Sequence, residues 1–168
     1  MLEYVSKTKS TSISDNAADD LVNKINNLIE KEHTDEFSVG KIRNDLQESM
    51  EENAKIFRSE ETLSKQTEIL ENLRERYENV TIFDKGKVFN TELMEAIELD
   101  YLLDMSESTV ASALARKESR GAHSRQDFPD RDDGNFMKHS FAFKNGNSAN
   151  LRYKDVELGK YEPMERKY

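Results

Sequence analysis

The sequence predicts a mainly α protein: a three-helix up-and-down bundle with a further long helix, followed by a charged loop and a small C-terminal β-hairpin. Three observations predict this fold. Apolar residues recur at helical spacing in successive segments of about 17 to 20 residues joined by short polar turns, which favours antiparallel helices. Apolar and charged residues each make up 35% of the chain, a balance that suits amphipathic helices better than a thick α/β core. An Asn-Gly pair between alternating segments near the C-terminus indicates a hairpin.

The first two helices are predicted from their apolar stripes. The first runs from about Asp15 to Lys31, and Ser14 or Asp15 can cap its N-terminus. The second runs from about Ser38 to Phe57. Their apolar positions fall at spacings of three and four: Leu21, Val22, Ile25, Leu28 and Ile29 in the first helix, and Val39, Ile42, Leu46 and Met50 in the second.

The third helix has a clear start signal. Ser59 can cap it, and Glu60 and Glu61 in the first turn complement the positive end of the helix dipole. It is predicted to end near Glu78. The β-branched and aromatic run from Val80 to Phe83 then predicts a short strand or extended connection with a tight turn after it.

The longest helical stretch begins at Asn90 or Thr91, either of which can act as its N-cap. Asp and Ser are better caps than helix interiors, so a break is possible near Asp104 to Ser106. Gly121 is predicted as the C-cap, after a basic last turn that suits the negative end of the dipole.

The chain divides into three parts. Residues 1–14 are rich in Ser, Thr and Lys and are predicted to be a flexible linker or tail. Residues 15–118 form the helical bundle. Residues 119–168 belong to the same domain and hold the charged loop, the hairpin around Asn145-Gly146, and an extended polar tail with Pro163.

A charged segment from Arg116 to His139 separates the helices from the hairpin. Its 24 residues hold six Lys or Arg, five Asp or Glu and two of the three His. This is too charged for a core and too interrupted by Gly and Pro for one helix. Such a segment is typical of a folded loop held by ion pairs, and loops of this kind often carry function or assembly.

Composition argues against several classes of protein. A formal net charge of −9 argues against nucleic-acid binding. The absence of Cys excludes a disulfide, a thiolate nucleophile and Cys-ligated zinc or iron-sulfur sites. No apolar run approaches the roughly 18 to 20 residues that span a bilayer, and there is no h-region of a signal peptide, so we expect a soluble protein in a reducing compartment. The six glycines are never close enough to form a phosphate cradle for FAD or NAD.

Catalytic and metal sites in the charged segment are possible but disfavoured. His123, Asp127, Asp132, Asp133 and His139 are candidate ligands of a metal ion, yet Arg and Lys residues are interleaved with them. Asp127 and Asp132 are also disfavoured as a catalytic acid/base pair, because each aspartate is expected to pair with an arginine. A triad that uses Ser119 or Ser124 with His123 lacks the glycine-flanked turn of such sites.

The sequence resembles the C-terminal domain of succinate dehydrogenase and fumarate reductase flavoprotein subunits. The resemblance is carried by VFNTEL at 88–93, AIEL at 96–99, ALARKESRGAH at 113–123, Arg125, Asp127, RDD at 131–133, Asn135, KH at 138–139 and SFAF at 140–143. Weaker similarity extends upstream through KIRNDLQESM, Ile56-Phe57-Arg58 and LRERY, so it covers roughly residues 38–155. Phe136 stands where many members carry tryptophan. A related oxidase acting on aspartate shares the architecture, but the run from ESRGAH to KH fits the succinate and fumarate branch better.

The resemblance implies a spectrin-repeat-like bundle and a parent oxidoreductase. Members of this family interconvert succinate and fumarate by hydride transfer with FAD, and pass electrons to an iron-sulfur subunit and a quinone. The FAD belongs to an N-terminal domain whose motifs this sequence lacks. The chain is therefore interpreted as a C-terminal piece with no catalytic, cofactor-binding or metal-binding residues of its own, inactive in isolation. Its expected partners are the flavin domain and the iron-sulfur subunit. Its expected location is cytoplasmic and peripheral at the inner face of the membrane, through the complex only.

Within that interpretation, the charged loop is predicted to form an interdomain ion-pair network that fixes it against the flavin domain, because interfacial charges need partners. The predicted members of the network are Glu118, Arg120, His123, Arg125, Asp127, Arg131, Asp132, Lys138 and His139. Two other functions remain open: a free-standing helical protein-interaction module, and a small metal-dependent enzyme using His123.

Overall fold

The computed structural model describes residues 6–7, 12–146, 148–160 and 163–164. Within them, four long helices precede a short helix and a hairpin, so the predicted fold class is confirmed. The helices are α1 (Asp19–Glu30), α2 (Val39–Asn53), α3 (Glu60–Glu78), α4 (Thr91–Ala115) and α5 (Asp133–Phe136), with a 3-10 turn at Asp35–Phe37. The strands are β1 (Phe57–Arg58), β2 (Ser124–Arg125), β3 (Lys138–Asn145) and β4 (Ser148–Asp155). Strands β1 and β2 pair in parallel, and β3 and β4 are antiparallel.

The hydrophobic core lies between α2, α3 and α4. Ile42, Leu63, Leu99 and Leu103 are fully buried there, and full burial of such a side chain contributes about 1.5–3 kcal/mol. Helix α1 contributes Leu28 to the core and contacts α4 from the outside. The three helices that pack on one another are therefore α2 to α4, with α1 at their edge.

The N-termini of α3 and α4 are capped as predicted. Ser59 Oγ accepts a hydrogen bond from the Thr62 N–H (3.2 Å), and Thr62 Oγ1 accepts one from the Ser59 N–H (3.1 Å), which completes a capping box. Asn90 Oδ1 accepts from the Leu93 N–H (2.7 Å). These caps satisfy backbone donors that have no partner inside their helix.

The predicted limits of the first two helices are wrong at one end each. Helix α1 begins at Asp19 rather than Asp15, because residues 15–18 form a turn and no side chain caps the helix. Helix α2 ends at Asn53 rather than Phe57. The two residues Phe57 and Arg58 leave the helix and form β1, whose backbone pairs with β2.

Helix α4 has no break at Asp104 to Ser106. The Asp104 carboxylate accepts hydrogen bonds from Arg74 (2.6 Å) and Lys144 (2.7 Å) instead of competing for the helix backbone. These ion pairs remove the reason for the expected break.

Gly121 is not the C-cap of α4, because the helix already ends at Ala115. Gly121 has a φ of +60° and lies in a tight turn closed by two backbone hydrogen bonds between Arg120 and His123, of 2.8 and 3.0 Å. Glycine adopts this left-handed conformation without steric strain. The prediction of Gly121 as the helix C-cap is therefore wrong.

The segment after α3 is mostly extended rather than a full strand. Thr81 forms an isolated bridge with Ser38, and Val80 and Ile82 are buried on the core. The predicted hairpin is present: Asn145 pairs with Ser148, and Gly146, with a φ of +60°, follows β3.

Parts of the predicted tails cannot be compared with the structure. Residues 1–5 and 8–11 of the predicted linker, and 161–162 and 165–168 of the predicted C-terminal tail, lie outside the described residues. The division at residues 14 and 118 stays a prediction. None of the helices in the described ranges combines the length and apolar character that crossing a membrane requires.

Candidate interdomain ion-pair network

Glu118 is the centre of one half of the network. Its side chain is fully buried, and Oε1 accepts hydrogen bonds from Arg116 Nη1 (2.6 Å) and Arg120 Nε (2.8 Å). Oε2 accepts from Arg120 Nη2 (2.9 Å) and from the Asp132 N–H (2.7 Å). Burial alone would raise the pKa of Glu118, but the hydrogen bonds from Arg120, Asp132 and Arg116 outweigh it and lower the pKa. The buried carboxylate is therefore fully partnered.

Arg125 is the centre of the other half and is itself buried. Its Nε and Nη2 bind both oxygens of Asp127 (2.8 and 2.7 Å), and Nη2 also binds Glu60 (2.9 Å). Nη1 donates to the carbonyls of Ala113 (2.9 Å) and Leu114 (3.1 Å) in the last turn of α4. All five guanidinium N–H groups are thus used, and the loop is bound to the end of α4 and the start of α3.

Asp127 extends this contact to the N-terminus of α3. Its Oδ2 accepts a hydrogen bond from the Glu60 N–H (2.9 Å), where the helix dipole also favours an anion. The hydrogen bonds from Arg125 are the main reason that the pKa of Asp127 lies far below its usual range, and the hydrogen bond from the Glu60 N–H lowers it further. Helix α3 is therefore capped twice, by Ser59 and by Asp127.

His123 lies between two arginines. Its Nε2 is 3.0 Å from the Arg116 carbonyl oxygen and its Nδ1 is 3.0 Å from Arg58 Nη1. A carbonyl only accepts and a guanidinium only donates, so the imidazole is neutral, with its proton on Nε2. Burial lowers the pKa of His123, and the nearby charge of Arg58 acts in the same direction. The neutral His123 ring therefore connects the Arg58 side chain to the Arg116 carbonyl by hydrogen bonds.

Arg131 and Asp132 lie at the start of α5. Arg131 Nε and Nη2 bind both oxygens of Asp133 (2.6 and 2.8 Å), and Asp133 also binds Arg120 (2.7 Å). Asp132 caps α5 by accepting hydrogen bonds from the N–H (3.0 Å) and side chain (2.7 Å) of Asn135. These contacts link both residues to the half of the network around Glu118.

Lys138 and His139 do not join the network through their side chains. Both lie on β3 and are exposed. Within the described chain, Lys138 contributes its carbonyl, which accepts from Arg116 Nη2 (2.9 Å), and the His139 ring contacts Phe141. The structure therefore brings seven of the nine predicted residues together, and an exposed strand keeps the other two apart.

Several residues of the network were not predicted. Arg116 joins the loop to the hairpin, because Nη1 also binds the Phe136 carbonyl (2.8 Å) and Nη2 binds Ser140 Oγ (3.0 Å). Ser119 joins the two halves: its Oγ accepts from the Arg125 N–H and donates to the Phe128 carbonyl, both at 2.8 Å. The position of Arg116 and Ser119 in the charged segment is the sequence feature that could have indicated their part in the network. The sequence offered no signal for Glu60 or Arg58 as partners of the loop.

A second ion cluster lies on the opposite half of α4. Arg74, whose side chain is only 6% exposed, binds Asp100 (2.6 Å), Asp104 (2.6 Å) and Glu107 (2.8 Å). Lys24 of α1 also pairs with Asp100. Three acidic residues at spacings of four and three share one face of a helix, and this spacing in the sequence indicates a site for a shared cation.

The catalytic and metal alternatives find little support in this geometry. Among the described residues, no group of three or more His, Cys, Asp or Glu side chains is placed to hold a metal ion. Asp127 and Asp132 each bind separate partners, as described above. Both ring nitrogens of His123 are occupied, and Ser119 Oγ is bonded to backbone groups.

The family described as "Fumarate reductase flavoprotein C-term" matches residues 43–168, which include the whole network. The chain belongs to this family. The resemblance noted from the ESRGAH to KH run is therefore confirmed. The flavoprotein C-terminal match begins within α2, so α1 lies before it.

Known flavoprotein subunits align with most of the chain. The fumarate reductase flavoprotein subunit of Haemophilus influenzae is 38% identical over 158 residues, which are 94% of this chain and 26% of that protein. The succinate dehydrogenase flavoprotein subunit of Rickettsia bellii is 36% identical over 147 residues, which are 87% and 24%. A solved structure of a mutant Escherichia coli quinol fumarate reductase has a TM-score of 0.85 at 34% identity, covering 97% of this chain and 28% of that one. The chain thus spans about a quarter of the length of the relatives it matches.

Proposed function

We propose that this chain is the C-terminal helical domain of a flavoprotein subunit that interconverts succinate and fumarate. The observation that carries the proposal is the family match over residues 43–168, together with relatives named both fumarate reductase and succinate dehydrogenase. The parent subunit would move a hydride between the dicarboxylate and its FAD. The domain itself holds neither substrate nor flavin, and in isolation it is inactive.

The role of the domain is to dock on the flavin domain of the same subunit. The network supports this role because Glu118, Arg125 and Asp127 find their partners inside the domain and thereby give the loop one fixed shape. The outer members, such as Arg131, remain accessible for an interdomain contact. A surface that is fixed before docking loses less conformational entropy when it docks.

Exposed apolar side chains support the same role. Ile56, which precedes β1, and Phe57, its first residue, are 57% and 68% exposed, and Val88 and Phe89 before α4 are 77% and 97% exposed. Large exposed apolar side chains in adjacent pairs are typical of surfaces that contact another protein or domain.

Further partners follow from the complexes that relatives form. One similar solved structure is described as quinol-fumarate reductase with menaquinol molecules and another as a Mycobacterium smegmatis Sdh1 complex. By the resemblance to this family, the parent subunit would bind an iron-sulfur subunit and lie peripherally at the cytoplasmic face of the membrane, with no nucleic-acid partner.

A chimera tests the proposal. This chain would replace the C-terminal domain of the E. coli fumarate reductase flavoprotein subunit, and FAD content and fumarate reduction would be measured. We expect the chimera to retain FAD and turn over fumarate, and the isolated chain to do neither. A chimera that folds without FAD or activity, or an isolated chain that reduces fumarate, would contradict the proposed function.

Two substitutions in the chimera test the docking role of the loop. Arg131→Ala should leave the free energy of unfolding of the isolated chain almost unchanged, because it removes a surface pair with Asp133. Arg120→Ala should lower the stability of both the isolated chain and the chimera, because Arg120 also binds the buried Glu118. Both should lower the thermal stability of the assembled chimera, and Arg76→Ala, which removes a surface pair with Asp45, is the control. Unchanged assembly and turnover in both loop variants would rule out docking through the network.

A further inference from the structure

A cationic cleft lies between the C-terminal half of α4 and the start of β3. Its volume is about 590 Å³, and its charged lining consists of Arg58, Arg116 and Lys138. His123, His139, Ala113 and four hydroxyl-bearing residues complete the wall, and no carboxylate lines it. In a chain with a formal net charge of −9, a cleft lined by three cations and no acid is a local reversal of the charge balance.

Arg58 is a cation with no anionic partner in the described part of the chain. Its Nε donates to the carbonyls of Ala54 (3.0 Å) and Lys55 (2.8 Å), and its Nη1 donates to His123 Nδ1 (3.0 Å). These acceptors are neutral, and Nη2 has no hydrogen bond to the described residues. When all acceptors of a partly buried guanidinium are neutral, no anion compensates its positive charge.

The other arginines packed into the fold are compensated. Arg120 and Arg125 each bind two carboxylates, and Arg74 binds three. Arg58 differs from them in that all of its hydrogen-bond acceptors among the described residues are neutral.

Hydrogen bonds hold the residues around Arg58 in place. His123 is held by the Arg116 carbonyl (3.0 Å), and the Arg116 side chain in turn holds the Lys138 carbonyl (2.9 Å) and Ser140 Oγ (3.0 Å). The Glu118 carboxylate is buried between Arg116 and Arg120 and does not line the cleft, so it does not compensate Arg58. The amine of Lys138, which has no partner in the described residues, adds a second positive charge to the cleft.

We propose that this cleft binds a carboxylate group, with Arg58 as the principal ligand, Lys138 as a second charge and the cleft hydroxyls as neutral donors. A planar guanidinium matches a carboxylate in shape and charge. The carboxylate has two possible sources, a small free acid or an acidic side chain from the rest of the subunit. The second source rests on the proposed function, and the first does not.

The first experiment titrates the isotope-labelled 168-residue chain with acetate and with succinate at constant ionic strength, using chloride as the reference anion. If the source is a free acid, backbone amides of Arg58, Ser112 and Ser140 should shift and saturate at millimolar concentration. Arg58→Gln should weaken this binding about tenfold, the loss of roughly one charge-assisted hydrogen bond, and Lys138→Gln should weaken it severalfold. Lys154→Gln, which changes an exposed cation opposite His139 but outside the cleft, should have no effect.

The second experiment places the same three substitutions in the chimera. If the source is a side chain of the flavin domain, small acids do not saturate the isolated chain, but Arg58→Gln and Lys138→Gln lower the melting temperature of the chimera more than that of the isolated chain, and Lys154→Gln does not. Equal behaviour of the cleft variants and Lys154→Gln in both experiments would overturn the site. If the unsubstituted chimera fails to assemble, the proposed function fails and the first experiment alone decides for or against the site.

Discussion

The Asp127 carboxylate accepts a hydrogen bond from the backbone N–H of Glu60, which lies 67 positions earlier in the sequence. The same carboxylate binds the buried Arg125 through two parallel hydrogen bonds. One side chain therefore serves as a partner for a buried cation and as a cap for α3. This double role makes Asp127 the residue on which the loop and the bundle most directly depend.

Replacing Asp127 should destabilise the isolated chain. Asp127→Asn removes the charge beside Arg125 and weakens the α3 cap, and we expect a loss of about 1–3 kcal/mol in the free energy of unfolding in urea. Asp130→Asn is the matched control, because Asp130 lies in the same loop and contributes its backbone carbonyl to Ser119. Equal losses in the two variants would contradict the role assigned to Asp127.

The stability of the loop should depend on pH through His123. Burial lowers the pKa of His123 in the folded chain below its unfolded value of about 6.5. The unfolded chain then binds more protons between the two pKa values, so this contribution is complete above about pH 6.5 and is lost as the pH falls. We expect the free energy of unfolding to decrease from about pH 7 to pH 5, and His123→Gln to reduce that slope.

The comparison for this pH profile is His139→Gln. His139 is exposed, and its ring contacts Phe141 rather than the network. Urea unfolding of the three proteins at each pH isolates the contribution of His123, because each variant lacks one histidine and only His123 belongs to the network. A slope that is the same in the chain and in His123→Gln would refute the prediction.

The Arg74 cluster should contribute more to stability than any surface ion pair. Arg74→Leu leaves Asp100, Asp104 and Glu107 without their shared cation, and removing one partner of a buried ion group typically costs about 3–5 kcal/mol. Lys24 and Lys144 remain near two of these acids, so we expect about 3 kcal/mol in urea unfolding. Arg76→Leu, which breaks a surface pair on the same helix, should change the free energy by at most about 1 kcal/mol. A smaller loss for Arg74→Leu than for Arg76→Leu would contradict this ranking.

Two glycines should respond oppositely to the same substitution. Gly121→Ala places a Cβ at a φ of +60° and should destabilise the chain by about 1–2 kcal/mol, although there is open space around that Cβ. Gly40 lies in the first turn of α2, also with open space, and Gly40→Ala should stabilise by up to about 1 kcal/mol. Thermal unfolding of both variants tests the pair, and a neutral Gly121→Ala would show that the turn at 120–123 tolerates a different backbone.

Local features of the fold were predictable from the sequence, and distant pairings were not. The caps at Ser59 and Asn90 depend on residues three positions away, and both predictions are confirmed. The end of α2 was placed too late because Phe57 leaves the helix to pair with Ser124, which no local pattern indicates.

The same distinction applies to the candidate site. The balance of charges between Arg116 and His139 predicted a loop rich in ion pairs, and seven of the nine named side chains meet. Glu60 was seen only as a residue that suits the helix dipole, because its contact with Arg125 spans 65 positions. The interdomain role of the network stays a prediction until a flavin domain is added.

The short parallel pairing of β1 with β2 connects two parts of the chain that are distant in sequence. It joins Phe57 and Arg58 to Ser124 and Arg125, so it encloses all of α3 and α4. Closing a chain segment of that length is entropically unfavourable unless intervening structure has already brought the ends together. The antiparallel pair α3 and α4 brings these ends together, so we expect the charged loop to become ordered after the two helices and to open before them in hydrogen exchange.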